Sequence, residues 1–282
     1  MNDLLTKEIF SEIPLRTWGW LGVNEALVPE GLDGVSPARQ EITVAAGQAE
    51  EMVLAEREGG ARELAICLEP GAKLHLVQAE LAPVTAGVSN RVKVTAAAGA
   101  QFSYTAVLAG GASVAAELTV ELAGQDSEAD VWAFYLGDAG RRLDLNYIIR
   151  QSGRDTRANM QVRGALTGGA EKIFRGTLDF LQGAKGSVGR ENEEVLLLSE
   201  DVRNRSVPLM LSHEDDVDGH HGVSVGRMDE ARLFYLMSRG LDLSEAQRLI
   251  VAAAANPVLD RIPGQALGQE IYAYLQGRLA HA

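Results

Sequence analysis

Short stretches of alternating apolar and polar residues fill the middle of the chain, from about residue 36 to residue 225. The period of two recurs in one segment after another, at Leu64, Ile66 and Leu68, at Val92 and Val94, at Phe102 and Tyr104, at Leu118, Val120 and Leu122, and at Leu143, Leu145, Tyr147 and Ile149. This alternation predicts β-strands with one buried face. Glycines separate the segments at fairly even intervals, which suits a β-sandwich, a β-barrel or a β-solenoid. No strong sequence repeat selects among these three.

The front of the chain has a different pattern. Residues 1–35 contain two of the three tryptophans, Trp18 and Trp20, followed by the turn formers Pro29, Gly31 and Gly34. We expect a short helical or irregular cap there. The predicted domains are therefore this cap, a β core over residues 36–225 and a helical region over residues 226–282.

The helical region carries apolar residues at helical spacing. Gly240 is placed to end a first helix. Ser244 and Gln247 have the spacing of a capping box that opens a second helix. Pro257 is expected to end that helix, and a last helix is expected over about residues 267–279.

Composition and charge narrow the class of protein. Hydrophobic residues make up 46% of the 282 residues and aromatic residues only 5%, so the core must consist mainly of aliphatic side chains. The net charge of −13 argues against a surface for nucleic acid or for anionic membranes. We find neither a signal peptide nor an apolar stretch long enough to span a bilayer. We therefore expect a cytoplasmic protein.

Few motifs indicate catalysis. The chain lacks the glycine-rich phosphate-binding patterns of nucleotide-binding proteins. Residues 222–226 match the Gly-x-Ser-x-Gly pattern of a nucleophile elbow around Ser224. However, the β-branched neighbours of Ser224 favour a plain strand, and His281 is the only histidine downstream. The single cysteine, Cys67, excludes an internal disulfide and is expected to be a small buried apolar residue.

The densest chemical segment lies between His213 and His221, where three of the five histidines fall within nine residues. Carboxylates and imidazoles together can bind a transition metal. The candidates are Asp216, Asp218, His220 and His221. The alternative interpretation is a solvated acidic turn.

An ordered series of motifs resembles the C-terminal signature of the SufB/SufD family. It comprises Val207-Pro208-Leu209, Glu214-Asp215-Asp216-Val217, His221-Gly222, Gly226, Asp229-Glu230, Leu233-Phe234-Tyr235-Leu236 and Ser238-Arg239-Gly240-Leu241. Similar pieces lie upstream, at Arg175–Phe180, at Glu193–Leu198 and in the front segment around Pro14–Trp18. The resemblance covers most of the chain and is weakest between about residues 35 and 140.

The resemblance implies a fold, a function and partners. The family fold is a right-handed parallel β-helix between terminal helical regions, which selects the solenoid among the β architectures. The family acts as a scaffold for iron–sulfur cluster assembly, with a SufC ATPase and a second SufB/SufD-type subunit as partners. The ATPase would dock on the C-terminal helices, and the candidate contact residues are Leu233, Phe234, Leu236, Met237 and Arg239.

Departures from the family pattern refine the expectation. Gly219 stands where the family often has a cysteine, while His221 falls on the family histidine. A cluster bound in the common way needs about four thiolates, and this chain has one cysteine. The chain therefore looks SufD-like and non-enzymatic, with a transient cluster shared with a partner subunit at an interface. In that site His221 is the principal metal candidate, and the neighbouring acidic and histidine residues would be co-ligands or would orient its ring.

Three questions stay open in the sequence. The partner subunit is either a second copy of this chain or a SufB-like chain, and flavin binding is not decided. Two other functions compete with the scaffold, namely a carbohydrate-active enzyme on a β-helix and a purely structural β-solenoid.

Overall fold

The structure is a computed structural model that describes residues 8–17 and 19–280. Trp18 and His281 therefore lie outside the described residues, as do the first seven residues. Two short strands at the front, β1 (Ile9–Glu12) and β2 (Glu25–Leu27), flank a 3₁₀ turn at Gly19–Leu21. Fourteen strands follow: β3 (Ala38–Val44), β4 (Ala49–Glu56), β5 (Gly60–Leu68), β6 (Lys73–Glu80), β7 (Gly87–Ala96), β8 (Gln101–Leu108), β9 (Ser113–Leu122), β10 (Glu128–Gly137), β11 (Arg142–Gln151), β12 (Arg157–Leu166), β13 (Glu171–Phe180), β14 (Ser187–Leu197), β15 (Arg203–Ser212) and β16 (Val217–Arg227).

These fourteen strands form two parallel sheets. The odd-numbered strands are hydrogen-bonded in the order β15-β13-β11-β9-β7-β5-β3, and the even-numbered strands in the order β16-β14-β12-β10-β8-β6-β4. Each coil of the chain therefore adds one strand to each sheet. This arrangement is a parallel β-helix, which confirms the fold class that the family resemblance implied.

The coils are unequal in length. Ala38 of β3 pairs with Arg62 of β5, 24 residues later. Glu171 of β13 pairs with Arg203 of β15, 32 residues later. This difference explains why the sequence shows no strong repeat: the strands stay in register while the loops between them differ in length.

Alternation along each strand separates the inside of the β-helix from its outer faces. In β5, Leu64, Ile66 and Leu68 are at most 4% exposed and belong to the aliphatic interior. Cys67 lies between two of these inward-facing residues and is exposed. The expectation of a buried thiol was wrong, because neighbouring residues in a strand face opposite ways.

The front segment lies along the outer face of the odd-numbered sheet. The antiparallel pair β1 and β2 is held there by the buried guanidinium of Arg175, which donates to the carbonyl oxygens of Val23 and Glu25 and pairs with Asp144. Asn146 also donates to the carbonyl oxygen of Glu12 at 3.1 Å. The described front residues thus include a β ribbon, where the sequence pattern predicted a helical or irregular cap.

Three helices complete the chain: α1 (Glu230–Ser238), α2 (Leu243–Leu259) and α3 (Gln265–Leu279). Helices α2 and α3 pack on the outer face of the even-numbered sheet. Their buried residues share one apolar cluster with that face, which includes Val251, Val258, Ile271 and Leu275 from the helices and Val77, Val107, Phe134 and Ala165 from the strands. The division of the chain into domains at residues 35 and 225 stays a prediction.

The ends of α2 differ from the sequence prediction. The capping box is formed by Asp242 and Glu245, each of which accepts a hydrogen bond from the other's backbone N–H at 2.8 Å. Ser244 and Gln247 do not form it. Pro257 lies inside the last turn of α2 instead of ending it. Proline's fixed φ is compatible with helical backbone, although Pro257 has no backbone N–H to donate to the preceding turn. Val258 next to it is fully buried in the apolar cluster shared with the even-numbered sheet.

Candidate functional site

The last coil leaves one end of the β-helix open. Strands β15 and β16 are the outermost strands of their sheets at this end, so each has an edge without a neighbouring strand in the described chain. Met210, Val223 and Val225 face the interior but are 38–48% exposed, because no further coil covers them. We call the inward-facing residues of β15 and β16 the open end.

His221 belongs to the open end. A Cβ atom at Gly219 would lie 2.5 Å from Sδ of Met210 and 3.1 Å from the ring of Phe180, so position 219 faces the interior. His221 follows two residues later in the same strand and shares that face. A side chain at position 219 would displace the thioether of Met210.

The other candidate metal ligands lie elsewhere. Asp218 and His220 face outward from β16, where His220 Nε2 lies 2.8 Å from Asp218 Oδ1. Asp216 lies in the turn before β16, and its carboxylate is 3.9 Å from Lys185 Nζ. Nowhere in residues 8–17 and 19–280 do three or more His, Cys, Asp or Glu side chains form a group able to hold a metal ion. The four candidates therefore do not come together as one site in the described chain.

Sequence reasoning missed a polar cluster inside the β-helix, directly below the open end. Lys172 forms a fully buried ion pair with Glu193 and also donates to Ser206 Oγ at 3.1 Å. The hydroxyl of Tyr135 donates to Glu193 Oε1 at 2.9 Å. Tyr135 reaches past an intervening strand because that strand presents Gly164, where any Cβ atom would overlap the tyrosine ring. We call Lys172, Glu193, Tyr135 and Ser206 the interior polar cluster.

Glu191 lies beside this cluster and has no protein partner. It is 3% exposed, yet no donor among the described residues reaches either carboxyl oxygen. Burial raises the pKa of Glu191 to about 8, with Glu193 acting in the same direction and Lys172 opposing it. An unsatisfied buried polar group costs about 1–3 kcal/mol. In the parallel pair of β14 and β16, Glu191 is the register partner of His221.

The sequence carried a weak signal for these residues. The segment from Val188 to Glu194 has no apolar alternation, although regular strands flank it in the chain. Of the two glutamates at interior positions of this segment of β14, Glu193 pairs with Lys172 from another coil, whereas burial shifts Glu191 towards its neutral form.

Helix α1 contacts the rest of the protein only sparsely. It contains no buried residue among those described. Phe234 is 75% exposed and Met237 44% exposed, while Leu233 and Leu236 are half-buried. Arg239 lies over a tyrosine ring next to these apolar residues. Among the predicted contact residues, Phe234 and Met237 thus form an apolar surface that the described part of the chain leaves exposed.

Ser224 lies within β16 in extended backbone. The strained strand-to-helix turn of a nucleophile elbow is therefore not formed at this serine. No helix in the described part of the chain is long and apolar enough to cross a membrane.

The fold and these surfaces define a class of protein: a parallel β-helix that is open at one end and carries a C-terminal helix with an exposed apolar surface. Residues 38–254 match the family model for the SufBD core domain of the SUF system of FeS cluster assembly. The chain therefore belongs to the SufBD family.

Individual relatives agree with this assignment. The chain is 29% identical over 163 residues to the iron–sulfur cluster assembly protein SufD of Bacillus subtilis, a match that covers 58% of this chain and 37% of that protein. It is 27% identical over 184 residues to an iron–sulfur cluster assembly SufBD family protein of Mycobacterium leprae, with 62% of this chain and 47% of that protein covered. A protein of that description from Mycobacterium tuberculosis is 26% identical over 184 residues, covering 62% of this chain and 46% of the relative. The match thus spans less than half the length of each of these relatives.

Proposed function

We propose that this chain is a cytoplasmic, SufD-like scaffold subunit that shares a nascent iron–sulfur cluster with a partner subunit and has no reaction of its own. The observation that carries the proposal is the position of His221, which faces the uncovered end of the β-helix. Family membership supplies the cargo, since the SufBD family takes part in iron–sulfur cluster assembly.

The donor set of this chain supports shared binding of the cluster. An iron–sulfur cluster is commonly held by about four thiolates. Cys67 is the only cysteine, and it lies on the outer face of β5, near the opposite end of the β-helix from β16. A partner subunit therefore has to supply the sulfur ligands, while His221 contributes an imidazole nitrogen.

The open end is also the surface where that partner would sit. The free edges of β15 and β16 present unpaired backbone donors and acceptors, and exposed strand edges favour pairing with another chain. Met210, Val223 and Val225 add exposed apolar area. We infer that a second copy or a SufB-like subunit covers this end and completes the cluster site.

Helix α1 is the proposed docking surface for a SufC-like ATPase. Two of its apolar residues, Phe234 and Met237, are exposed and not covered by any described part of this chain. The helix also follows β16 directly in the sequence, so the proposed docking surface adjoins the strand that carries the proposed cluster site.

The first experiment tests the cluster role of His221. In cells that depend on this protein, we expect His221→Ala to lower the activity of iron–sulfur enzymes while the protein remains folded and bound to its ATPase. His220→Ala is the matched control, because its imidazole faces outward beside Asp218. Normal iron–sulfur enzyme activity in the His221→Ala strain would remove this residue from the function.

A second experiment tests the docking surface. We expect the double substitution Phe234→Ser and Met237→Ser to abolish capture of the ATPase from cell extract. Tyr272→Ser on α3 is the control, since Tyr272 is similarly exposed, at 45%, but lies on another helix. Equal recovery of the ATPase by both variants would contradict docking on α1.

A further inference from the structure

Two ligand-type side chains lie next to each other where the β-helix ends. Glu191 of β14 and His221 of β16 are register partners, and adjacent strands lie about 4.8 Å apart. Both residues face the interior, as the glycines two positions before them show. A Cβ atom at Gly189 would meet the interior side chains of Phe180 and Leu178, and one at Gly219 would meet Met210 and Phe180. Glu191 and His221 share the faces of these glycines. The two side chains therefore leave adjacent strands on the same, inward face at the last two coils, Glu191 buried and His221 exposed.

The carboxyl group of Glu191 has no hydrogen-bond partner among the described residues. It is buried, and within the described residues neither oxygen accepts a hydrogen bond. Gly176 on the facing strand leaves room for it, because a Cβ atom there would lie 2.8 Å from Oε1. The nearby ammonium group of Lys172 and hydroxyl group of Tyr135 both bond to Glu193 instead.

We propose that Glu191 and His221 form a half-site for a divalent transition-metal ion, which in the cell is ferrous iron. The inference rests on the proposed function, which brings iron to this end of the protein. A carboxylate oxygen and an imidazole nitrogen are a donor pair that suits such ions. Because no third His, Cys, Asp or Glu joins them among the described residues, the partner subunit supplies the remaining ligands.

The test is metal binding by the purified full-length chain under anaerobic conditions. Ferrous iron is titrated by calorimetry, and cobalt(II) is titrated in parallel by its absorption spectrum. We expect Glu191→Gln, which keeps the shape but cannot ionise to bind a metal, to weaken binding at least about tenfold, as loss of a group that supports a metal typically does. Glu194→Gln is the matched control, since Glu194 faces outward and bonds to Arg163 at 3.0 Å, and its affinity should equal that of the wild type.

Combination with His221→Ala makes the test specific. If both residues bind one ion, Glu191→Gln should cause little further loss once His221 is removed. Glu191→Asp retains a carboxylate and should bind more tightly than Glu191→Gln. Circular dichroism of each variant identifies any loss that results from misfolding.

The outcomes separate this inference from the proposed function. Wild-type affinity in folded Glu191→Gln, with weakened binding in His221→Ala, would refute the role of Glu191 alone. Absence of His221-dependent binding of either ion up to about 1 mM, the limit of weak specific binding, would refute the half-site. In that case the cellular test of His221→Ala would still decide whether the scaffold function holds.

Discussion

The buried ion pair between Lys172 and Glu193 offers the sharpest test of the interior polar cluster. Substitution of Lys172 by Met leaves the carboxylate of Glu193 in the interior with the hydroxyl of Tyr135 as its remaining close partner. Both charged side chains are fully buried. Removal of one partner from a buried pair costs about 3–5 kcal/mol. That loss is a large share of the 5–15 kcal/mol that typically separates folded from unfolded protein.

A second variant identifies the cause of the loss. Lys172→Met combined with Glu193→Gln removes both charges and keeps an acceptor for Tyr135. Because a buried pair replaced as a whole is often close to neutral, the double variant should regain most of the lost stability.

Urea unfolding followed by circular dichroism measures both effects. A chain of this size should have a slope near the top of the usual range, about 3 kcal/mol per M. The unfolding midpoint of Lys172→Met should then fall by about 1 M or more. Equal midpoints for the single and double variants would refute the reasoning, because the uncompensated charge would not be the cause of the loss.

Three further predictions concern other parts of the fold. Burial raises the pKa of Glu80 from its ordinary value of about 4.5 to about 7. Between these two pH values the folded state holds a proton that the unfolded state has lost, so the melting temperature should fall as pH rises. Glu80→Gln should flatten that fall, and an unchanged pH profile would contradict the assignment. Gly164→Ala should lower the melting temperature, because the new Cβ atom would overlap the ring of Tyr135. Gly268→Ala, where α3 has open space, should be neutral or slightly stabilising. Similar melting temperatures for the two variants would count against the packing described. Arg278→Met should speed hydrogen exchange in α3, because it removes a largely buried ion pair between that helix and the β-helix. Arg57→Met removes an exposed ion pair with Glu270 and should change exchange little. Equal exchange in both variants would show that the buried pair does not hold α3.

The sequence by itself determined the kinds of elements and their order. The alternation around Leu64–Leu68 predicted strands, and the apolar spacing after residue 226 predicted helices, because both periodicities are local and depend only on which face is buried. The family motifs selected the β-helix among the β architectures and directed attention to His221.

Only the tertiary structure decided which residues meet. The parallel register pairs residues about 30 positions apart, such as Glu191 with His221, and coils of unequal length leave no sequence period from which to read that pairing. The front ribbon is likewise held by Arg175, a residue about 150 positions later in the chain. A charged residue in the interior of a β-helix needs a partner from another coil, and burial shifts a carboxyl group without one towards its neutral form. The buried pair of Lys172 and Glu193, and the unpartnered carboxyl group beside it, therefore became visible only once the coils were stacked.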